Sequence, residues 1–232
     1  MKRRAGQNEG LVRLSAMIQW RPLERALAAV YNANEGRPSY PPLVMFKCLL
    51  LQQWYTLSDP QLEEALADRL SFRRFVGLPL DEEVPDYSTI SRFRAQLAQL
   101  HLGERLFAEL NRQLAGRGLL VKQGTMLDAT LIEASVKPVR GARSARLAQL
   151  GITDGIMRKL MPHSRDPHPV LAARNRRLAR IRGAVERKFA VLKEHYRCRR
   201  VRYRGLLKNQ LHLLLICFAM NLKRAHVLRA AG

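Results

Sequence analysis

Arg182, Glu186 and Lys193 are spaced four and seven residues apart in a basic, helix-periodic stretch near the C-terminus. On a helix those spacings put all three on one side, Arg182 one turn before Glu186 and Lys193 about two turns after it. Far upstream, the apolar run Thr125-Met126-Leu127-Asp128-Ala129-Thr130 holds a solitary carboxylate. Phosphodiester chemistry on DNA commonly uses two divalent metals about 3.5–4 Å apart, one activating the attacking oxygen and one stabilising the leaving oxygen. Such hard cations take carboxylate oxygens, so two or three acids must converge from different elements. Asp128 at a strand end and Glu186 on a docked helix are therefore candidate catalytic residues and ligands for Mg²⁺ or Mn²⁺. Arg182 and Lys193 would hold the flanking phosphates. The same residues have a plainer use. An Asp after a strand is commonly a turn residue, and Glu186 can pair with Arg182 on its own helix. Spacing leaves both open.

The elements that would position these groups are mostly helical. Residues 10–30 show helical periodicity, and Pro38, Pro41 and Pro42 mark a loop. Leu43–Trp54 is apolar all round, as an interior helix is. Ser58-Asp59-Pro60-Gln61 is a helix start, with Ser58 as cap, Pro60 in the first turn and Gln61 as capping-box partner. A short piece at Phe72–Val76 is closed by Gly77. After an acidic loop, a helix capped by Asp86 or Ser88 buries Ile90, Phe93 and Leu97 and turns Ser88, Ser91, Arg92 and Arg94 to its other faces. Following two short helices, it could be the second helix of a helix-turn-helix, presenting those four residues to DNA. A plain three-helix bundle with a solvated polar face fits equally, and a homodimer is left open.

A further helix is expected at 99–115, stopped by Gly116-Arg117-Gly118, then one or two short strands over Leu119–Thr130. Residues 139–170 read as loop with a short helix at Ser144–Leu150. Val170–Lys193 is helical, with Leu178, Ile181, Val185, Phe189 and Leu192 on one face. A basic link, Arg197–Arg204, precedes the last helix, which starts at Leu206. Its apolar stretch, Leu211–Leu222, falls short of the roughly 18 residues of a membrane span. It reads as a buried helix, and no membrane partner is expected.

Charge narrows the partner. The 232-residue chain carries a net +22; residues 121–232 hold 25 Lys/Arg against 6 Asp/Glu, and residues 1–120 hold 16 against 13. Such an excess repels itself unless an anion neutralises it, and nucleic acid is the commonest such partner. From Arg174 to Lys208 there are 14 Lys/Arg and 2 acids, interleaved with Tyr196 and Tyr203. Arg199, Arg200, Arg202 and Arg204 there would track a phosphate backbone with salt-sensitive affinity. A basic tail or an RNA-binding protein is the plainer alternative. Three cysteines at no zinc spacing imply reduced thiols. The basic N-terminus lacks an apolar h-region, so no signal peptide is expected and the location is cytoplasmic, nucleoid-associated. No histidine pair has ligand spacing, and phosphate-loop, nucleophile-elbow and zinc motifs are absent.

These segments, taken in order, resemble the insertion-sequence-five family of bacterial transposases, of the Asp-Asp-Glu class. Tyr40-Pro41-Pro42 through Asp86-Tyr87-Ser88-Thr89-Ile90-Ser91-Arg92-Phe93-Arg94 resembles the family's helical N-terminal domain. Met126-Leu127-Asp128-Ala129-Thr130 is similar to its first catalytic strand, and Arg182-x3-Glu186-x6-Lys193 to the motif around its final Glu, with Ala179 where the motif has Tyr. Arg202-Tyr203-Arg204-Gly205-Leu206 and the apolar last helix also fit. The resemblance implies a mainly α chain, with a helical DNA-binding domain at 1–117 and an RNase H-like α/β catalytic core at 118–232. It implies binding of terminal inverted repeats, metal-dependent cleavage and strand transfer into target DNA. The strand bearing the family's second Asp has no counterpart, since Pro138 leads almost directly into Arg140–Leu150 and Asp154 sits in a turn. The core is thus expected to be truncated, with few strands and exposed edges that favour aggregation. Cleavage is expected to be impaired while double-stranded DNA binding survives in part. The alternative is a non-catalytic remnant that inhibits a full-length relative.

Overall fold

The computed structural model describes residues 8–30, 40–119 and 169–230. Among them every regular element is helical: α1 (Asn8–Ala16), α2 (Trp20–Leu27) followed by a 3-10 turn (Ala28–Val30), α3 (Pro42–Tyr55), α4 (Asp59–Asp68), α5 (Leu70–Val76), α6 (Tyr87–Gln99), α7 (Leu102–Gly116), α8 (Pro169–Glu194) and α9 (Leu206–Ala230). The strands expected over Leu119–Thr130, apart from Leu119 itself, lie outside the described residues. So do the short helix at Ser144–Leu150 and Asp128.

Two compact units divide the chain, residues 1–122 with 192–232, and residues 123–191. In the first, α3 is the central element. Its side chains are buried from Val44 through Trp54, save the half-buried Lys47, and α2, α4, α5, α6 and α9 all pack on it. A helix apolar on every side can be covered only from every side.

The C-terminal helix α9, grouped by sequence with residues 118–232, belongs instead with the N-terminal helices. It packs on α7, α3 and α6. The reason is apolar area: Leu211, Leu215, Ile216, Phe218, Ala219, Leu222 and Ala225 are buried there. Phe218 meets Phe46 edge-on at 5.4 Å, and Trp54 Nε1 donates to the Ala219 carbonyl at 3.1 Å. The helix is also longer than its apolar Leu211–Leu222 segment suggested. Leu206–Arg229, with a mean hydropathy of 1.3, is long and apolar enough to cross a membrane by length and composition alone.

Local signals were kept closely. Ser58 Oγ accepts from the Gln61 N–H and Gln61 Oε1 from the Ser58 N–H, a complete capping box, with Pro60 in the first turn of α4. α5 stops at Gly77, whose φ of 87° suits a residue without Cβ. Asp86, not Ser88, caps α6 by accepting from the Thr89 N–H, while Ser88 donates to Asp86. Ile90, Phe93 and Leu97 are buried as expected.

Arg94 departs from expectation. Placed by sequence on a polar face, it is 2% exposed. Positions 90, 94 and 97 follow the i, i+4, i+7 rhythm of one helix face, so Arg94 falls in the buried stripe. Only a partner makes that tolerable, and α4 and α3 supply two.

Candidate nucleic-acid interface

Asp59, at the start of α4, accepts two hydrogen bonds from the Arg94 guanidinium, from Nη1 at 2.9 Å and from Nη2. Gln52 of α3 accepts from Nη2 at 3.1 Å and itself donates to Asp59. Burial alone would raise the Asp59 pKa. The hydrogen bond and charge of Arg94, with Gln52 and Arg202, outweigh it and hold the carboxyl below its usual range. On the far side, the guanidinium lies 4.9 Å from the Tyr203 ring centroid, with Arg202 at 5.8 Å from the same ring. Tyr203 in turn meets His212 edge-on at 5.3 Å. Burial, then the charges of Arg202 and Arg94, push the His212 pKa down to about 4. The basic link is therefore bolted to α4 and α6 through one stacked column.

The link has its own clasp. Asn209 Oδ1 accepts from the Tyr203 N–H at 3.1 Å, and Asn209 Nδ2 donates to the carbonyls of Tyr203 and Gly205 at 2.6 and 2.7 Å. Gly205 takes a φ of 90° at the turn into α9. Arg202 Nη2 donates to the Leu57 carbonyl at 2.8 Å, one residue before the Ser58 cap. These contacts bring the link against the helix starts.

An open cleft results. Ser58, Asp59 and Pro60 line it from α4, Tyr87, Ser88, Ser91, Arg92 and Ala95 from α6, and Arg202 and Lys208 from the link and the first turn of α9. Arg92 is laid along its own helix, Nη2 donating to Thr89 Oγ1 at 3.0 Å and Ser88 Oγ at 3.4 Å. Of the residues expected to touch DNA, the fold thus brings Ser88, Ser91, Arg92 and Arg202 together. Arg94 is removed from that set, because its guanidinium lies beneath the cleft and is committed to Asp59 and Gln52. Lys208, singled out in the sequence only as the end of the basic Arg174–Lys208 run, joins it.

The other candidates stand elsewhere. Arg200 and Arg204 are exposed on the link, and Arg199 pairs with Glu194. Lys193 is exposed in the last turn of α8. Glu186 is exposed on α8, within the second unit, and Arg182 lies on the same helix. An exposed carboxylate on a helix is a suitable oxygen donor for a hard divalent cation. Among the described residues no group of three or more His, Cys, Asp or Glu could hold a metal. Asp128, the expected partner of Glu186, lies outside them.

Residues 1–96 match the family model described as a transposase domain (DUF772), and residues 158–226 match the model of the transposase DDE domain. Both indicate a transposase. Transposases bind DNA, and DDE domains are in general dependent on divalent metal. The cleft draws residues from both matched segments, Ser58 to Ala95 from one and Arg202 with Lys208 from the other. No solved structure matches the chain.

Proposed function

We propose that this chain is a transposase of the insertion-sequence-five type that holds duplex DNA while its cleavage chemistry is impaired. The observation that carries this is Glu186. It is exposed on α8, stands in the pattern Arg182-x3-Glu186-x6-Lys193, and lies inside the segment matched to the transposase DDE domain. In this reading Asp128 and Glu186 hold Mg²⁺ or Mn²⁺, in what remains of an RNase H-like core. A metal bound there would polarise the phosphoryl oxygen and activate the attacking oxygen. Arg182 and Lys193 fix the backbone on either side. The impairment follows from the missing second Asp, without which the metal pair loses a shared ligand.

Terminal inverted repeats and target DNA are the partners, a homodimer is the assembly, and the site of action is the bacterial nucleoid. The missing acid equally favours a non-catalytic remnant that occupies a full-length relative's ends.

The test is incubation of the full chain with end-bearing duplex DNA and Mg²⁺ or Mn²⁺. Retarded DNA without nicks is expected. Robust nicking abolished by Asp128→Ala would show that the chemistry is intact, and absence of any retardation would remove the DNA-binding half. Mixing with an active relative separates the two readings of impairment, since only an inhibitor lowers that relative's cleavage.

A further inference from the structure

We infer that the cleft between α4, α6 and the first turn of α9 is a clamp for one stretch of duplex-DNA backbone, its phosphodiester oxygens taken by Arg92, Arg202 and Lys208. The inference rests on the DNA-binding reading above and assigns it a place. Three cations from distant parts of the sequence converge on one open surface. The carboxylate that shares the cleft, Asp59, does not cancel them, because its charge is already matched by the two N–H groups of buried Arg94.

Two helix-end amides of α6 are already taken, the Tyr87 N–H by Glu63 at 2.8 Å and the Thr89 N–H by Asp86. An anion here meets chiefly the cationic side chains. Those side chains are prepared for it. Arg202 is fixed by one N–H on the Leu57 carbonyl and keeps the rest of its fork, and Arg92 is held by its two hydroxyl acceptors. Lys208 and the exposed Ser91 have no hydrogen-bond partner among the described residues.

The shape favours duplex backbone over splayed bases. Binding of single strands relies on several aromatic platforms. Tyr87 is the single aromatic side chain lining the cleft among the described residues. Phosphate contacts of this type position a protein on DNA without reading sequence.

The test titrates the full chain into two labelled duplex DNAs of unrelated sequence at several salt concentrations, with duplex RNA as competitor. Arg92→Ala, Arg202→Ala and Lys208→Ala should each weaken binding about threefold or more on both duplexes and lower the salt slope by about 1. The Arg92→Ala/Lys208→Ala pair should lose less than the product of the single losses, because both grip one backbone stretch. Arg112→Ala removes the same charge from α7, where Arg112 pairs with Glu109, and should leave affinity unchanged. Should Arg202→Ala melt early, Arg202→Lys, which keeps the charge and loses the fork, and the exposed Lys208→Ala carry the test.

Equal loss in Arg112→Ala, independent losses in the pair, or preference for the RNA competitor would each overturn the clamp while DNA binding stands. A wild-type chain that fails to bind either duplex would remove the DNA-binding reading and the clamp together.

Discussion

At the scale of single residues, Arg94 shows what a buried charge requires. Its guanidinium is desolvated, so its stability depends on Asp59 and Gln52 being in place and on the Tyr203 ring beneath it. Removing one partner of such a pair costs about 3–5 kcal/mol, because the remaining charge stays buried and uncompensated. Asp59→Ala should therefore lower the urea midpoint by that equivalent, and Asp59→Asn, which still accepts a hydrogen bond, by less. Acid reaches the same column in two windows. His212 is neutral when folded, with its pKa pushed down to about 4. Between its ordinary value of about 6.5 and about 4, only the unfolded chain takes the proton, so stability falls as pH falls and the loss is complete below about 4. The Asp59 carboxyl is held low, so its contribution is present above the usual carboxylate pKa of about 3.9 and is lost as pH drops through the lower folded value. Melting temperatures from pH 7 to 4 should decline in the wild type and much less in His212→Phe, which keeps a ring against Tyr203. An equal decline in both would remove His212 as the cause. Arg94 was misplaced by sequence because its type suggested solvent. Its spacing from Ile90 and Leu97 pointed inward.

Elements succeeded or failed by how local their causes are. The capping box of α4 and the Gly77 stop of α5 arise within four or five residues and were legible, while the α6 cap was narrowed by sequence to Asp86 or Ser88 and is Asp86. What α9 packs against was not legible, because its partners α3, α6 and α7 stand about a hundred or more residues earlier in the chain. Gly103 of α7 lies against α9. A Cβ there would lie 2.8 Å from Leu211 Cδ1 and 3.1 Å from Leu214 Cδ1. Both are ends of flexible side chains. Gly103→Ala should be close to neutral, its gain in helix propensity of about 1 kcal/mol offsetting a small shift of those methyls. Gly103→Ile should destabilise by about 2 kcal/mol through overpacking. Paired denaturant melts check both, and a harmless Gly103→Ile would mean that α7 and α9 are not tightly apposed.

For the whole molecule, the docking of α9 joins its two ends. Trp54 and Phe46 of α3 depend on α9 for a hydrogen-bond acceptor and a ring partner. A chain ending at residue 200 should lose its cooperative thermal transition and aggregate, since it exposes that apolar face. A sharp melt from the shortened chain would show that α9 is dispensable to the core. By itself the sequence determined the approximate positions of most described helices, the capping box of α4, the interior character of α3 and a cationic excess that calls for a polyanion. Those properties depend on near neighbours and on composition. The tertiary structure alone decided which groups meet the Arg94 guanidinium, that α9 joins the N-terminal unit, and that Arg92, Arg202 and Lys208 face one cleft. Each depends on contacts between residues far apart in the chain, and such contacts follow from matching buried area and charge in three dimensions rather than from any spacing along it.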